Sequence, residues 1–179
     1  MDSKKDFSVR HGIPEDAALL SVFGKKTFFE TWEHTASKEN LEIYMDESYA
    51  EEKIRMELSS PAHVYLMLEE EGRLLGFAKL EESAEPPEEI RQFRCLEINK
   101  LYLDSHSKGK GFGAVLMDAS LELARVRQIE CIYLGVWEEN IRAVKLYTRY
   151  GFTPFGRHRF VMGTQVDWDV WMKRELVAG

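Results

Sequence analysis

The sequence has little cysteine and no long apolar run, and each shortage excludes a class of protein. Among 179 residues only Cys95 and Cys131 are cysteines, too few for a disulfide framework, so we expect a cytoplasmic protein. No apolar run approaches the ~20 residues that a membrane-spanning helix needs. The first residues, MDSKKDFSVR, lack the apolar core of a secretory signal. We therefore expect no membrane partner.

Positive charge is also in short supply. Lysine and arginine number 24 against 31 acidic residues, which leaves a net charge of −7. A main partner that is a nucleic acid would require a net basic surface, so none is expected, whereas a cationic substrate is compatible. The five histidines are scattered, and no HExxH or CxxC spacing predicts a metal site.

Hydrophobic periodicity predicts the elements of the first half of the chain. A strand over 7–12 precedes a helix over 15–32, with a break near Gly24. A second helical stretch over about 37–59 contains the capping-box pattern SYAE at 48–51, which predicts that the helix restarts there. The segments AHVYLMLEE and RLLGFAKLEE then predict two paired strands.

The second half predicts further strands that alternate with helices. A strand over 95–103 leads through glycines into a helix, a buried strand covers 131–137, and a helix capped by Asn140 ends at Gly151. The C-terminal segment alternates as a closing hairpin. The predicted order is strand, two helices, three strands, helix, strand, helix and hairpin. This is an α/β chain around one mixed sheet, in a single domain over 1–179.

The stretch SKGKGFGAVL at 107–116 places three glycines between a strand and a helix. Backbone N–H groups and the helix dipole can receive an anion at such a turn. The spacing GxGxG departs from the dinucleotide fingerprint GxGxxG, and the P-loop string is absent. The pattern [RQ]-x-x-G-x-G/A for a diphosphate fits at Lys108, Gly111 and Gly113, with Lys in first position. A merely flexible turn is the alternative.

Two segments carry a resemblance to a known family. LEINKLYLDSHSKGKGFGAVLM followed by GVWEENIRAVKLYTRYGF resembles the GNAT superfamily of acetyl-CoA-dependent N-acetyltransferases, and within it the bacterial PaiA-type enzymes that acetylate spermidine and spermine. The resemblance is strong over roughly 93–175, and before that it depends on element order and on KTFFETW. It implies a GNAT-like fold with helices around the sheet, splayed fourth and fifth strands and a C-terminal hairpin.

The resemblance also implies acetyl-CoA as cosubstrate, without a metal. The pantetheine arm would pair with the end of the fourth strand at 101–103, and the diphosphate would bind the amides of 108–113. The implied coenzyme contacts are Leu101, Tyr102, Leu103, Lys108, Gly109, Lys110, Gly111, Phe112, Gly113, Asn140 and Tyr147.

Two residues are candidates for the chemistry. The resemblance implies that Tyr147 is the general acid that protonates the leaving thiolate, while a packed tyrosine is the structural alternative. The resemblance implies Glu97 as the candidate base, because it lies four residues before Leu101, where several family members carry a catalytic glutamate. On a regular strand it shares a face with Asn99, Leu101 and Leu103. An ion-paired strand carboxylate is the alternative, in which case water takes the proton. A backbone amide of 101–103 is expected to stabilise the oxyanion.

The acceptor is expected to be a primary amine, with a polyamine as the candidate. The first helices and the hairpin offer aromatic and acidic side chains that suit a polycation. These are Phe28, Phe29, Glu30, Trp32 and Glu33, then Tyr44, Asp46 and Glu47, with Asp167 and Asp169 on the hairpin. From this set, the predicted acceptor residues are Phe28, Glu30, Trp32 and Glu33. Other small amines and peptide amines stay open as acceptors. A homodimer is also open as the oligomeric state. A coenzyme-binding regulator without turnover is a rival function, and a dinucleotide-binding oxidoreductase is disfavoured by the glycine spacing.

Overall fold

A seven-stranded sheet runs through the computed structural model, which describes residues 7–83 and 85–176. Its strands are β1 (Phe7–His11), β2 (His63–Glu70), β3 (Arg73–Glu81), β4 (Cys95–Leu103), β5 (Cys131–Trp137), β6 (Thr153–Met162) and β7 (Gln165–Glu175). They lie in the order β1-β2-β3-β4-β5-β7-β6. The β4–β5 pair is parallel and the other neighbours are antiparallel. The predicted mixed sheet with a closing β6–β7 hairpin is confirmed.

Helices cover both faces of the sheet. They are α1 (Ala17–Trp32), α2 (Lys38–Ser48), α3 (Glu51–Leu58), α4 (Phe112–Val126) and α5 (Ile141–Arg149). One buried cluster joins the sheet to α4 and α5, and a second joins the opposite face to the first three helices. None of the helices that the structure describes is long and apolar enough to cross a membrane. Burial on both faces confirms the predicted α/β class.

The predicted break at Gly24 is wrong, because α1 continues through this residue. A Cβ at position 24 would collide with the ring of Tyr49, which is almost fully buried. The glycine therefore serves close packing between α1 and the segment after α2. Sequence alone does not distinguish this use of glycine from a helix break.

The predicted restart near residue 50 is confirmed, but the predicted capping box is wrong. Ser48 is the last residue of α2, and Ala50 takes the N-cap position of α3 without a side-chain hydrogen bond. Glu51 and Glu52 are then the first two residues of the new helix. Their charges stabilise its N-terminus through the helix dipole, in place of a cap.

The sheet opens between β4 and β5, which confirms the predicted splay. In the described chain these strands pair from Cys95, opposite Cys131, to Glu97, opposite Tyr133. Beyond Glu97 they diverge, although β4 continues to Leu103. The edge of β4 that faces β5 is therefore left without a strand partner over its second half.

A β-bulge corrects the predicted face of Glu97. Along β3 the register against β4 shifts, so that Leu80 lies opposite Ile98 and Lys79 lies opposite Lys100. Asn99 is the extra residue, and it interrupts the alternation of β4. Because directly opposite residues share a face, Glu97 lies on the face of Lys100 and not on that of the β4 leucines.

Candidate functional site

The gap between the splayed strands is a cleft of about 660 Å³. Its walls come from the diverging parts of β4 and β5, the turn before α4, the helix α5, the end of α1 and the β6–β7 hairpin. The cleft passes between the two faces of the sheet, so groups from both buried clusters reach it.

Most of the coenzyme contacts predicted from sequence line this cleft. They are Leu101, Tyr102, Leu103, Lys108, Gly109, Gly111, Gly113, Asn140 and Tyr147. The prediction does not hold for two side chains. Lys110 is exposed outside the lining, and Phe112 is buried in the core, where its ring packs edge-on against Phe7 at 5.5 Å. Only the main chain of Phe112 remains available to the turn.

The glycine turn has the geometry of an anion site. Gly109 and Gly111 both have φ of +85°, a left-handed conformation that glycine adopts without a steric penalty. Gly111 is the N-cap of α4 and provides no side-chain cap, so the first N–H groups of the helix remain free. Lys108 and Arg142 line the cleft beside them. Free amides, the helix dipole and two cations together favour a bound phosphate.

Tyr147 is buried at the inner wall of the cleft. Desolvation raises the pKa of its phenol to about 12, so the hydroxyl keeps its proton at neutral pH. Its ring contacts Phe152, with centroids 6.1 Å apart. The tyrosine is thus packed in the core and also adjoins the cleft. Its interpretation as a packed side chain does not exclude its interpretation as a general acid.

Asn140 likewise has two compatible roles. Its Oδ1 accepts a hydrogen bond from the Ala143 N–H at 3.2 Å, as an N-cap of α5 does. The same residue lines the cleft. The cap orients the amide group, which leaves its nitrogen free for a ligand.

Glu97 does not reach the cleft lining. Its carboxylate accepts hydrogen bonds from Asn99 Nδ2 and from the Tyr133 hydroxyl, each at 3.4 Å. Burial and the nearby Glu81 raise its pKa. Asn99 is part of the lining and lies between Glu97 and the cleft. Any proton transfer from the cleft to Glu97 therefore needs an intermediary.

The outer half of the cleft has an aromatic wall. Trp32, Tyr44, Trp137 and Phe160 all line it. The ring centroids of Trp32 and Trp137 are 5.3 Å apart, and those of Tyr44 and Phe160 are 5.2 Å apart. Phe28 lies behind this wall, fully buried and stacked on Tyr44. Of the four predicted acceptor residues, only Trp32 lines the cleft.

Neither of the two acids predicted on α1 as acceptor residues lines the cleft. Glu30 lies 3.8 Å from Lys26 on the same helix, and Glu33 lies 3.6 Å from His34. Helical periodicity shows which residues share a face of α1, but only packing decides which face adjoins the cleft.

Across the described residues, no group of His, Cys, Asp and Glu is arranged to hold a metal ion.

Asp169 is the carboxylate that does line the cleft. It lies on β7, opposite His158 of β6 and opposite Trp137 of β5. Burial, together with the charge of Asp167, raises its pKa to about 6. The alternating sequence VDWDVW predicts the strand and identifies two acids on one face. It does not show which of the two adjoins a cleft.

Lys100 is a functional candidate that the sequence reasoning missed. Its Nζ lies 5.2 Å from the centroid of the Tyr49 ring and 5.8 Å from that of Tyr44. Desolvation, with a smaller contribution from Lys79, lowers its pKa to about 7. The bulge at Asn99 turns this lysine inward, and no local sequence pattern marks such a bulge.

Comparisons with known proteins point to one family. The Acetyltransferase (GNAT) family matches residues 27–152. An uncharacterised N-acetyltransferase of Lactobacillus delbrueckii subsp. lactis is 29% identical over 165 residues, 92% of each chain. A spermine/spermidine N(1)-acetyltransferase of Bacillus subtilis (strain 168) is 34% identical over 109 residues, 59% of this chain and 71% of its own. The crystal structure of a PaiA N-acetyltransferase from Thermoplasma acidophilum in complex with coenzyme A is similar in fold. Its TM-score is 0.78 at 21% identity, with 96% of this chain and 99% of that chain covered.

Proposed function

Because the chain belongs to the acetyltransferase (GNAT) family of acetyl-CoA-dependent N-acetyltransferases, we propose that it acetylates a polyamine such as spermidine or spermine. The observation that carries this proposal is the cleft itself. It has a glycine turn with free amides at one end and an aromatic wall with a carboxylate at the other.

The coenzyme half of the cleft supports the binding of acetyl-CoA. The edge of β4 over 101–103 has no strand partner on the β5 side, so its N–H and C=O groups are free to pair with an extended pantetheine arm. The turn over 108–113 can then hold the diphosphate. A thioester bound in this way would lie between the diverging strands, near Tyr147.

The residues around that point support direct transfer. The amine nitrogen attacks the thioester carbonyl, the N–C bond forms and the C–S bond breaks. A backbone N–H on the free edge of β4 would stabilise the oxyanion, typically worth about 3–4 kcal/mol. Tyr147 donates the proton that the leaving thiolate requires. Glu97 remains a remote candidate for the base, acting through water beside Asn99.

The acceptor half supports a cationic amine. Aromatic faces attract ammonium groups, and Asp169 adds a negative charge beside them. Lys100 shares the cleft, but with a pKa near 7 it is largely uncharged above neutral pH and repels a cation less. The similarity to the Bacillus spermine/spermidine enzyme over 109 residues favours a polyamine. A small amine with one charge is the second candidate, since Asp169 is the one carboxylate among the described lining residues.

The test offers spermidine, spermine, a lysine peptide and an aminoglycoside at equal concentrations and follows the release of free coenzyme A. We expect the two polyamines to give the highest kcat/KM. A wide preference for the peptide or the aminoglycoside would contradict the polyamine proposal and leave the acetyltransferase intact. Tight acetyl-CoA binding without release for any amine would favour a coenzyme-binding regulator.

We also propose that the enzyme acts in the cytoplasm. Cys95 and Cys131 lie opposite each other where β4 and β5 pair, and both are buried free thiols. Neighbouring free thiols suit a reducing compartment. Cell fractionation with an antibody against the protein tests this location.

A further inference from the structure

Two atoms that can accept hydrogen bonds face each other on the wall of the cleft where the amine substrate is proposed to bind. Asp169 Oδ2 and His158 Nε2 are 3.5 Å apart. They belong to directly opposite residues of β7 and β6, and the two side chains are only 13% and 27% exposed, respectively. Asp169 itself lines the cleft.

The tautomer of His158 follows from its other contact. Its Nδ1 lies 3.3 Å from the carbonyl oxygen of Arg159. Because a carbonyl only accepts, we assign the hydrogen of the neutral ring to Nδ1. Burial lowers the pKa of this imidazole, which keeps it neutral near pH 7. Nε2 therefore presents a lone pair, and it is buried without a hydrogen-bond partner. The pair consists of two acceptors without a donor between them.

The imidazole is held in this position by close packing. Its ring stacks on Trp171 with centroids 3.7 Å apart. A Cβ at Gly135 of β5 would collide with Nε2, so the glycine makes room for the ring beside the cleft. A buried polar atom without a partner is costly, and this one is placed where a proton on Asp169 would satisfy it.

The charged groups around Asp169 leave it free to accept a cation. On β7 the charge of Asp167 raises the pKa of Asp169. From α2, Tyr44 lies near Asp169, and burial together with the Asp169 charge raises the pKa of this tyrosine. On β6 the facing group is His158, and on β5 it is the uncharged Trp137. Lys100 from β4 lines the same cleft. In the described chain, no Lys or Arg forms a salt bridge with Asp169.

We propose that Asp169 and His158 form the site that binds the acceptor ammonium and takes its proton. Asp169 is the catalytic residue that touches the substrate, and His158 is a positioning residue that accepts a hydrogen bond from the protonated carboxyl. This inference deepens the proposed function and depends on it.

The proton balance is complete. One proton passes from the ammonium to the Asp169 carboxylate, whose new O–H donates to His158 Nε2. The free amine then forms the N–C bond while the C–S bond breaks. The nitrogen loses a second proton as the amide forms, and this proton replaces the one that Tyr147 gives to the thiolate. The first proton leaves Asp169 for solvent after the product departs.

The kinetic test compares pH profiles of kcat/KM for spermidine. The wild-type profile should fall as the pH drops below about 6, because Asp169 must be ionised to act. Asp169→Asn should lower kcat/KM by roughly 10²-fold or more and abolish this acidic limb of the pH profile, the fall below about pH 6. His158→Phe keeps a ring to stack on Trp171 but lacks Nε2, so the limb should move to lower pH. A loss smaller than about threefold in Asp169→Asn would overturn the proposal.

Two control variants make the test specific. Glu175→Gln removes an exposed carboxylate from the same strand, where it contacts Lys173, and it should leave the profile unchanged. Glu97→Gln should retain the acidic limb. A limb that disappears in Glu97→Gln and persists in Asp169→Asn would assign the base to Glu97 and contradict our inference.

A second measurement does not require turnover. In protein labelled with ¹⁵N in histidine, the Nε2 resonance of His158 should shift between about pH 5 and pH 7 as Asp169 takes up a proton, since the pKa of Asp169 is about 6. Protonation of the imidazole itself would attach a hydrogen to Nε2 and is distinguished by the one-bond N–H coupling. The shift without such a coupling should vanish in Asp169→Asn. Its absence from the wild type would overturn the proton-sharing pair. If the shift is present but no amine releases coenzyme A, the pair stands and the proposed function fails.

Discussion

At the residue scale, desolvation by the cleft walls changes which side chains carry a proton at neutral pH. It raises the pKa of Tyr147 to about 12 and that of Asp169 to about 6, and lowers that of Lys100 to about 7. A phenol that stays protonated can act as an acid, whereas a carboxyl that titrates near the working pH can act as a base. The same physical cause thus separates the two roles.

Tyr147→Phe should lower kcat by about 10²–10⁴-fold, because the proposed general acid is lost. The affinity for acetyl-CoA and the melting temperature should change little, since the ring still packs against Phe152. Steady-state kinetics with calorimetry checks both expectations.

The control for this variant is Tyr150→Phe. The Tyr150 hydroxyl donates to Asp118 Oδ1 at 2.8 Å and lies 3.1 Å from Ala114 O, and Tyr150 is not part of the cleft lining. Its loss should cost about 1 kcal/mol of stability and leave kcat unchanged. Equal kcat values for Tyr147→Phe and wild type would show that Tyr147 only packs.

Lys79 and Lys100, which face each other across β3 and β4, should change the stability of the fold in opposite directions when each is replaced by methionine. Lys100 has a lowered pKa, so the unfolded state binds more protons than the folded state between about pH 7 and pH 10. Lys100→Met should therefore be more stable than wild type at pH 7, and the gain should shrink toward pH 10. Lys79, opposite it, lies 2.7 Å from Glu57. Lys79→Met should cost about 3–5 kcal/mol, because the buried carboxylate loses its cation and keeps only the hydrogen bond from the Tyr65 hydroxyl.

Urea unfolding at pH 7 and pH 10 measures both variants. A Lys100→Met protein less stable than wild type at pH 7 would mean that the ammonium is stabilised in the fold, contrary to its desolvated position.

At the element scale, the turn into α4 is the feature that most directly indicates a phosphate ligand. Its two left-handed glycines leave the first amides of a 15-residue helix uncapped. The edge of β4 contributes a second set of free backbone groups. Both features belong to backbone conformation and not to side chains.

Gly111→Ala should weaken acetyl-CoA binding, since the added Cβ lies at the helix N-terminus that we propose as the phosphate site. Gly72→Ala is a matched control, because Gly72 also has positive φ (+76°) and, like Gly111, has no atom near an added Cβ. Both substitutions should cost about 1–2 kcal/mol of stability, but only Gly111→Ala should change the dissociation constant. Isothermal calorimetry with equal affinities for the two variants would remove the diphosphate from this turn.

At the scale of the whole molecule, charge favours a cationic acceptor. The net charge of −7 attracts a polycation over distances beyond contact. The coenzyme end of the cleft is locally basic through Lys108, Arg142 and Arg149. Oppositely charged ends of one cleft would keep the two substrates in separate halves.

The KM for spermidine should therefore rise with ionic strength, because the Debye length falls from ~10 Å at 0.1 M to ~3 Å at 1 M salt. A monoamine serves as the control and should be much less sensitive. Steady-state kinetics across a salt series measures both, and a KM for spermidine independent of salt would show that long-range attraction does not contribute.

The sequence by itself determined the features that depend on neighbours along the chain. The apolar periods of α4 and α5, the glycines at 109 and 111 and the Asn140 cap are recognisable because turn and helix chemistry is local. They predicted the α/β class and the turn before α4, and the family resemblance of these segments implied most of the residues that line the coenzyme half of the cleft.

Only the tertiary structure decided the acceptor half. The bulge at Asn99 depends on the register of β4 against β3, and it turned Glu97 away from the predicted face while bringing Lys100 inward. Which hairpin acid adjoins the cleft depends on the pairing of β7 with β5 and β6. Strand register is set by contacts between segments far apart in sequence, so Asp169 and His158 came together through packing that no local pattern records.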